Sequence, residues 1–268
     1  MASDSLVAPQ SEQEFGLPGW IILLLIAPFV GSFLGVLIRR LPDGKPVALA
    51  RSHCESCNVV LAPRDLIPVL SFLMTRGKCR YCGARIASFH LAVELIPAVV
   101  PLWAAEAGTR GAPLWFSALL GWTLLALAWI DWRDFWLPDV LTLPLLLAGL
   151  AATWWLGPDD LADHAAAAVL GYLALQTIAA GYRWWRGRDG LGGGDAKLVA
   201  AAGAWLGLDL LPHVILLAAL TGLGLALAWR LAGREIARTT KLPFGPCLAL
   251  AIWVLWLYGD KIDLLSPW

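Results

Sequence analysis

Long apolar runs are the feature that most restricts how this chain can fold. About eight runs approach the ~20 residues that a helix needs to cross the ~30 Å hydrocarbon core of a bilayer. The chain has 268 residues, of which 59% are hydrophobic and only 15% are charged, and its mean hydropathy is +0.69. This composition excludes a disordered chain and does not suit a single soluble globule. We therefore expect an all-α polytopic membrane protein whose first partner is the lipid bilayer.

The predicted spans divide the chain into three parts. The first part, 1–40, holds an N-terminal tail and the first transmembrane helix; 41–88 is a small extramembrane insertion; 89–268 is a seven-helix membrane domain. The sixth span is short, so it is either tilted or continuous with the seventh through a tight turn. The eight predicted spans are 18–38, 89–105, 113–131, 137–156, 163–183, 196–208, 211–230 and 243–259.

The distribution of basic residues predicts the orientation in the membrane. If the N-terminus is outside, all but two of the 20 Lys and Arg residues fall in inner segments, and only Arg110 and Lys261 lie outside. Because cytoplasmic loops carry the excess of Lys and Arg, we expect both termini outside and 41–88 inside. The formal net charge is zero, so no basic surface is expected to recruit nucleic acid.

Four of the five cysteines form two C-x-x-C pairs within 41–88. The ligand candidates are Cys54, Cys57, Cys79 and Cys82. Paired spacing of this kind is typical of a tetrahedral zinc site, and the reducing inner side of the membrane favours thiolates over disulfides. We predict a structural zinc site, because four filled positions leave none for a substrate. A redox-active dithiol remains the alternative.

Two short segments place acids at the inner ends of spans. One is I-D-W-R-D-F-W-L-P-D, which contains Asp131; the other is G-L-G-G-G-D-A-K, which contains Asp195. Charge at the edge of a membrane span marks a candidate functional site. Two carboxylates a few ångströms apart cannot both ionise, and such a pair performs aspartic-protease chemistry. Helix-capping or interface roles remain the alternative for these acids.

Three consecutive glycines precede the second acid. Gly192, Gly193 and Gly194 carry no Cβ, so an extended peptide could approach the backbone beside Asp195. The same run imitates a dinucleotide-binding fingerprint. That interpretation is weak, because the third glycine of the fingerprint is missing and no strand precedes it.

Taken together, the motifs resemble those of the prepilin peptidases, the GxGD membrane aspartic proteases of type IV pilus and type II secretion systems. The resemblance covers nearly the whole chain. It rests on G-S-F-L-G-V-L-I-R-R-L-P from Gly31, both C-x-x-C pairs, D-L-I-P-V-L-S-F-L from Asp65, V-E-L around Glu94, Ile130-Asp131, L-P-D-V-L-T from Leu137, G-L-G-G-G-D-A-K-L from Gly190, and P-F-G-P from Pro243.

The resemblance implies both an activity and a set of site residues. Asp131 and Asp195 would be the catalytic pair, with Asp139, Lys197 and Glu94 in supporting positions. Such enzymes cleave type IV prepilins or pseudopilins after a glycine, at the cytoplasmic face of the bacterial inner membrane, so both termini here would be periplasmic. Many of them also methylate the new N-terminus with S-adenosylmethionine.

The sequence departs from the family pattern at one early position, and three rival functions stay open. Gly35 stands where the family usually has Asn, and no independent methyl-donor motif is visible. The first rival is a peptidase without methyltransferase activity. The second is a membrane proton or cation transporter, which would place acids deep within spans, whereas only Glu94 lies within one. The third is a zinc-bearing scaffold.

For the basic leader of a substrate, we expect partners among Asp134, Asp139 and Asp189.

Overall fold

The computed structural model describes residues 17–47, 51–187, 192–234 and 241–263, and this part of the chain is helical without a β-strand beyond two isolated bridges. The expected all-α architecture is therefore confirmed. Its α-helices are α1 (Gly19–Arg40), α2 (Leu70–Met74), α3 (Ser88–Leu95), α4 (Val99–Glu106), α5 (Gly111–Asp134), α6 (Asp139–Leu156), α7 (Leu161–Arg186), α8 (Gly193–Leu231) and α9 (Gly245–Asp263).

Six helical segments within the described ranges are long and apolar enough to cross a membrane. Large apolar side chains such as Leu25, Leu147 and Leu173 are more than half exposed on the surface of the bundle, as expected of a lipid-facing surface. The six segments are Gly19–Arg40, Ser88–Glu106, Gly111–Asp134, Asp139–Leu156, Pro158–Arg186 and Gly193–Leu231.

Helix α8 consists of two helical stretches that meet at Gly207. The backbone there is not helical, with φ of 75° and ψ of −177°. A Cβ placed on Gly171 of α7 would contact both Val199 and Leu211, which lie on opposite sides of Gly207. The chain therefore turns back along α7 at Gly207. The carboxylate of Asp163 accepts a hydrogen bond of 2.9 Å from the N–H of Leu208 and so caps the second stretch.

The first stretch of α8 lies at the centre of the bundle, packed against α6, α7 and α9. Small residues permit this close approach: a Cβ on Gly149 of α6 would lie 2.6 Å from Trp205, and a Cβ on Gly203 would lie 2.5 Å from the backbone of Ala167. Trp205 is almost fully buried, and its indole N–H donates to the carbonyl of Leu145 at 2.8 Å. These contacts fix the first stretch of α8, whose first turn carries Asp195.

Helix α1 packs closely against α3 and thereby fixes both ends of the 41–88 insertion. A Cβ on Gly31 would lie only 2.2 Å from the carbonyl oxygen of Val93, so only glycine allows this helix spacing. Leu34, Ile38 and Val93 form a small buried cluster with residues of α5. The insertion is thus attached to the membrane bundle beside the end of α5 that carries Asp131.

Candidate active site and cysteine cluster

Asp131 lies in the last turn of α5 and is buried, with 6% of its surface exposed. The helix ends three residues later at Asp134, and the next residue, Phe135, adopts a left-handed conformation with φ of 51°. The backbone N–H of Gly245, the first residue of α9, donates a hydrogen bond of 2.8 Å to Oδ2 of Asp131. The start of α9, which packs against α5, therefore holds this carboxylate.

Asp195 lies in the first turn of α8 and is also buried, with 8% of its surface exposed. Its Oδ2 accepts a hydrogen bond of 3.2 Å from the N–H of Gly192, the residue that caps the helix. The negative charge of Asp131 acts on Asp195, so the two carboxylates interact electrostatically. Both acids that the sequence suggested as a pair are thus buried at helix ends of the bundle, and their role as a catalytic pair stays a prediction.

The three glycines before Asp195 have different surroundings. A Cβ on Gly194 would lie 2.7 Å from the Cβ of Leu137, so this glycine lets α8 pack against the start of α6. Among the described residues, a Cβ on Gly193 would contact nothing within 4 Å. Of the two, Gly193 is the one with open space for a peptide backbone.

Asp139 and Lys197 form an ion pair between the first turns of α6 and α8, with Nζ and Oδ1 2.5 Å apart. Asp134 lies 3.9 Å from its neighbour Arg133. Two of the acids expected to receive a basic leader therefore already have basic partners. The third, Asp189, lies outside the described residues, as does Gly190 of the glycine-rich motif.

The four cysteines of the insertion form one cluster. All four Sγ atoms lie within 4.8 Å of one another, and the Sγ atoms of Cys54 and Cys82 are 3.9 Å apart. Four thiolates around a zinc ion, each with a bond of about 2.3 Å, lie roughly 3.8 Å from one another. The donor set and its spacing therefore fit a tetrahedral zinc ion, as the sequence predicted.

Each C-x-x-C pair sits on the same kind of turn. The N–H of Asn58 donates to the carbonyl of Cys54, and the N–H of Gly83 donates to the carbonyl of Cys79, each at 2.9 Å. Asn58 and Gly83 both have positive φ, 55° and 72°, which these residue types adopt more readily than others. Hydrogen bonds from the backbone N–H groups of Cys57 and Ser56 lower the pKa of Cys54 to about 6, which favours the thiolate that a metal requires.

Asp65 supports the cluster from the neighbouring turn. Its carboxylate accepts hydrogen bonds from Arg80 at 2.9 Å, from the hydroxyl of Tyr81 at 3.0 Å and from the N–H of Ala62 at 3.3 Å. Arg80 and Tyr81 are the two residues between Cys79 and Cys82. Asp65 therefore holds the second cysteine turn in place.

Glu94 does not join the aspartate pair. It lies on α3, where its Oε2 accepts a hydrogen bond of 2.6 Å from the N–H of Val69 in the insertion, and Ser32 of α1 is a second donor. Val69 has φ of 61°, a strained conformation for a β-branched residue. We expected Glu94 to support the aspartate pair. Its contacts lie instead with the insertion and α1, and not with Asp131 and Asp195.

Sequence reasoning gave no role to Gly245, the glycine of P-F-G-P. The only local signal was a glycine at the start of an apolar run, which suggests a helix N-terminus but names no partner. Its contact with Asp131 joins residues 114 positions apart, so it required the fold.

Two family models match this chain. Residues 25–107 match the bacterial peptidase A24 N-terminal domain, and residues 118–227 match the type IV leader peptidase family. The second match contains both buried aspartates, and the first contains the cysteine cluster and Glu94. No solved structure matches the chain.

Curated relatives are similar along almost their whole length. A prepilin leader peptidase/N-methyltransferase of Aeromonas hydrophila is 37% identical over 278 aligned positions, which cover 94% of this chain and 95% of the relative. Proteins of the same name from Burkholderia pseudomallei (strain K96243) and Pseudomonas aeruginosa are each 36% identical; the matches cover 90% and 89% of this chain and 86% and 90% of those relatives. With this similarity added to the paired aspartates and the cysteine cluster, the chain belongs to the type IV leader peptidase family.

Proposed function

We propose that this protein is a membrane aspartic endopeptidase that removes the basic leader of type IV prepilins or pseudopilins after a glycine and then methylates the new N-terminus. The observation that carries the peptidase activity is the pairing of two buried carboxylates, Asp131 and Asp195, at adjoining ends of α5 and α8. The names and full-length similarity of the relatives support both activities, and they do not favour the transporter.

The chemistry follows from two acids that share one proton. Close carboxylates do not both ionise, so one accepts a proton from the attacking water while the other donates a proton to the peptide being cleaved. The N–H of Gly245 fixes one oxygen of Asp131, which leaves its other oxygen for the water. The N–H of Gly192 orients Asp195 in the same way.

The substrate must be extended where it is cut, because a helix holds its carbonyl groups in its own hydrogen bonds. Gly193 has the open backbone beside Asp195 that such a peptide can approach. We propose that the apolar helix of the pilin lies among the spans while its leader unwinds at the inner surface.

The proposed topology has eight transmembrane passes with both termini periplasmic and the aspartates at the cytoplasmic face of the inner membrane. Two observations support it. The reversal of α8 at Gly207 makes two passes of one helical run, and α9 adds a last apolar helix. All but two of the 20 basic residues then lie on the inner side.

The cysteine cluster is proposed to hold one structural zinc ion. Cys54, Cys57, Cys79 and Cys82 would supply the four ligands, and zinc bound there would supply the folding stability that an insertion this small lacks. The four-thiolate set leaves no open position, so we assign zinc no step in peptide cleavage.

Methylation requires S-adenosylmethionine, which supplies the methyl group when bound. The names of the relatives support this activity, whereas a peptidase without it is the rival proposal.

One reaction tests both activities. Detergent-purified protein is incubated with a full-length prepilin, with and without S-adenosylmethionine, and the product is weighed by mass spectrometry. We expect loss of the leader in both reactions and one added methyl group only with the donor. Asp131→Asn and Asp195→Asn should each abolish cleavage, and the double variant should be no worse, because the pair acts as a unit. Cleavage by either single variant at the native rate contradicts the assignment.

A further inference from the structure

One side of the 41–88 insertion exposes large apolar side chains. Leu73 and Met74 have 62% and 70% of their surface exposed, although they belong to a segment outside the predicted spans. Apolar surface left in water is unfavourable, and a cluster of such side chains marks a site of interaction. We call the following five residues the apolar stripe: Leu66, Ile67, Leu70, Leu73 and Met74.

The short helix α2 is apolar on the outside and packed on the inside. Leu70, Leu73 and Met74 are spaced i, i+3 and i+4, so they share one face of this helix, and all three are exposed. Phe72 and Thr75 lie on the opposite face and are half-buried against the rest of the insertion. The stripe is therefore a surface that the insertion presents outward.

The contact between Val69 and Glu94 gives the height of the stripe relative to the membrane. Val69 directly precedes α2, and its N–H donates to Oε2 of Glu94 at 2.6 Å. Glu94 is the seventh residue of Ser88–Glu106, a segment of 19 residues that is long and apolar enough to span a bilayer. At 1.5 Å per residue this segment extends about 28 Å, so it needs nearly its whole length to cross a hydrocarbon core of ~30 Å.

The Cα atom of Glu94 then lies roughly 9 Å inside the membrane edge, six residues along the helix from Ser88. Side chains on a helix point back toward its N-terminus, which here is the end joined to the insertion. Val69 and α2 therefore lie at the level of the lipid headgroups and the first part of the acyl chains. This is the depth at which interfacial amphipathic segments bury their apolar faces.

The same span exposes apolar side chains at this depth. Leu95, the residue after Glu94, is 48% exposed, and Val99, one turn further, is 52% exposed. In a membrane-spanning segment such side chains face lipid. Lipid therefore reaches the depth of the Val69–Glu94 contact, and the apolar stripe beside this contact meets the same medium.

The backbone around the stripe is hydrogen-bonded as contact with lipid requires. Lipid offers no partner to a free N–H, so each one must be satisfied within the protein. The N–H groups of Ser71 and Thr75 donate to carbonyl groups four residues earlier, at 3.0 and 3.1 Å. Just before α2, Pro68 has no N–H, and the N–H of Val69 is the one that Glu94 accepts.

An arginine flanks the stripe at each end. Arg64 precedes Leu66 by two residues, Arg76 follows Met74 by two, and both arginines are exposed. Long basic side chains next to an interfacial apolar face reach the lipid phosphates while their stems cover apolar surface. The flanking charge therefore favours an anionic leaflet over a protein partner as the medium that covers the stripe.

We propose that the apolar stripe is a membrane-contact surface that inserts into the leaflet on the side of the insertion, the inner leaflet in the topology proposed above. The insertion is then attached to the membrane by the stripe as well as by α1 and α3. This third attachment fixes the height of the cysteine cluster above the bilayer. The inference goes beyond the proposed peptidase and methyltransferase activities and depends on neither.

The depth of the stripe is measured by fluorescence quenching in the full chain, held in nanodiscs of phosphatidylcholine and phosphatidylglycerol. A fluorescent amino acid is placed at position 73, and the lipids carry a nitroxide on the acyl chain. We expect severalfold stronger quenching there than with the same probe in place of Ser56, an exposed residue of the first cysteine turn. Equal quenching at the two positions, or none at position 73, overturns the proposal.

A charge within the stripe tests the same contact without a fluorescent probe. A phospholipid with a photoreactive acyl chain should capture residues 66–74 of the native protein, as mass spectrometry of the crosslinked peptides would show. Leu73→Glu should lower this capture about fivefold or more, because a carboxylate at this depth opposes insertion. The matched control is Val60→Glu, which changes an exposed apolar residue of the insertion outside the stripe and should keep native capture.

The melting temperature in detergent should be the same for both variants and the native protein, since both side chains are exposed. Native capture of residues 66–74 in a folded Leu73→Glu variant overturns the proposal. So does a photocrosslinker at position 70 that captures a prepilin or a second copy of this chain and no lipid, because the stripe would then be a protein-binding surface. None of these measurements uses cleavage or methylation, so their failure leaves the proposed function standing, and an inactive protein with a quenched probe at position 73 refutes only the proposed function.

Discussion

The backbone N–H of Gly245 donates a hydrogen bond to Oδ2 of Asp131 at 2.8 Å, across 114 residues of sequence. The contact joins the first residue of α9 to the last turn of α5. The positive end of the α9 dipole therefore faces Asp131. The hydrogen bond also fixes which oxygen is left free.

A methyl group on Gly245 should therefore disturb catalysis while both aspartates remain. Its Cβ would lie 2.7 Å from Oδ2 of Asp131, closer than packing allows, and such overpacking costs about 1–3 kcal/mol. We expect Gly245→Ala to lower kcat for prepilin cleavage by about tenfold or more. Gly181→Ala on α7, where an added Cβ meets none of the residues that the structure describes within 4 Å, is the matched control. Equal cleavage rates for the two variants would show that the contact does not matter.

The second prediction concerns the metal. Elemental analysis of protein purified without chelators should find about one zinc per chain. Serine in place of any one of Cys54, Cys57, Cys79 or Cys82 should lower the zinc content and make residues 41–88 easier to proteolyse. Cys247→Ser should keep the zinc, because Cys247 is buried in α9 and does not belong to the cluster. A metal-free native protein contradicts the site, and a disulfide in protein kept reduced from lysis favours the redox interpretation.

Features of the site that depend on neighbouring residues could be predicted from the sequence, whereas contacts between residues far apart in the sequence could not. The spans, the cysteine ligands and the two aspartates follow from local patterns. The length of an apolar run, the C-x-x-C spacing and an acid at the end of a span can each be recognised within one short segment of sequence. The pairing of Gly194 with Leu137 and of Asp139 with Lys197 depends on how α6 meets α8. No periodicity in either segment specifies that approach.

The reversal of α8 was predicted only in part from the sequence. The sequence suggested a tight turn between the sixth and seventh spans, and the non-helical residue Gly207 lies at the end of the predicted sixth span. The contacts of Glu94, by contrast, could not be predicted from the sequence. Its motif indicated function, but only the contact with Val69 shows that it serves the insertion.

The third prediction uses the pKa of Asp65. Burial raises this pKa, but the hydrogen bonds from Tyr81, Ala62 and Arg80 outweigh it and hold the pKa of Asp65 below its usual value. A depressed pKa in the folded state adds stability that is fully present above the unfolded pKa of about 3.9. That contribution is lost as the pH falls through the folded pKa.

Asp65→Asn should therefore lack this contribution at neutral pH. We expect faster zinc release to a chelator and faster proteolysis of the insertion than in the native protein at pH 7, with the difference shrinking as the pH falls below about 4. Asp159→Asn, in the short turn before α7, should behave as the native protein does. A variant that releases zinc at the native rate at pH 7 would show that Asp65 does not hold the second cysteine turn.

The last prediction separates the two glycines before Asp195 by what each contacts. Valine at position 194 would be forced against Leu137, whose Cβ lies 2.7 Å from the site of an added Cβ, so Gly194→Val should lower both the melting temperature and cleavage. A Cβ at position 193 would meet none of the described neighbours within 4 Å, so we expect the fold to tolerate valine there. It would occupy the space through which an extended peptide approaches Asp195.

Gly193→Val should accordingly keep the native melting temperature and zinc content and still lose cleavage, chiefly through a higher KM, because it obstructs substrate binding. Gly193→Ala should give a smaller loss than Gly193→Val, since the obstruction grows with side-chain volume. Photocrosslinkers at position 193 should capture the leader junction of a prepilin, whereas crosslinkers in the Pro158–Asp160 turn, at the start of α7, should not. Native cleavage by Gly193→Val, or capture of the junction at Pro158–Asp160 instead, would place the peptide away from the glycine run and overturn the inner-face mechanism.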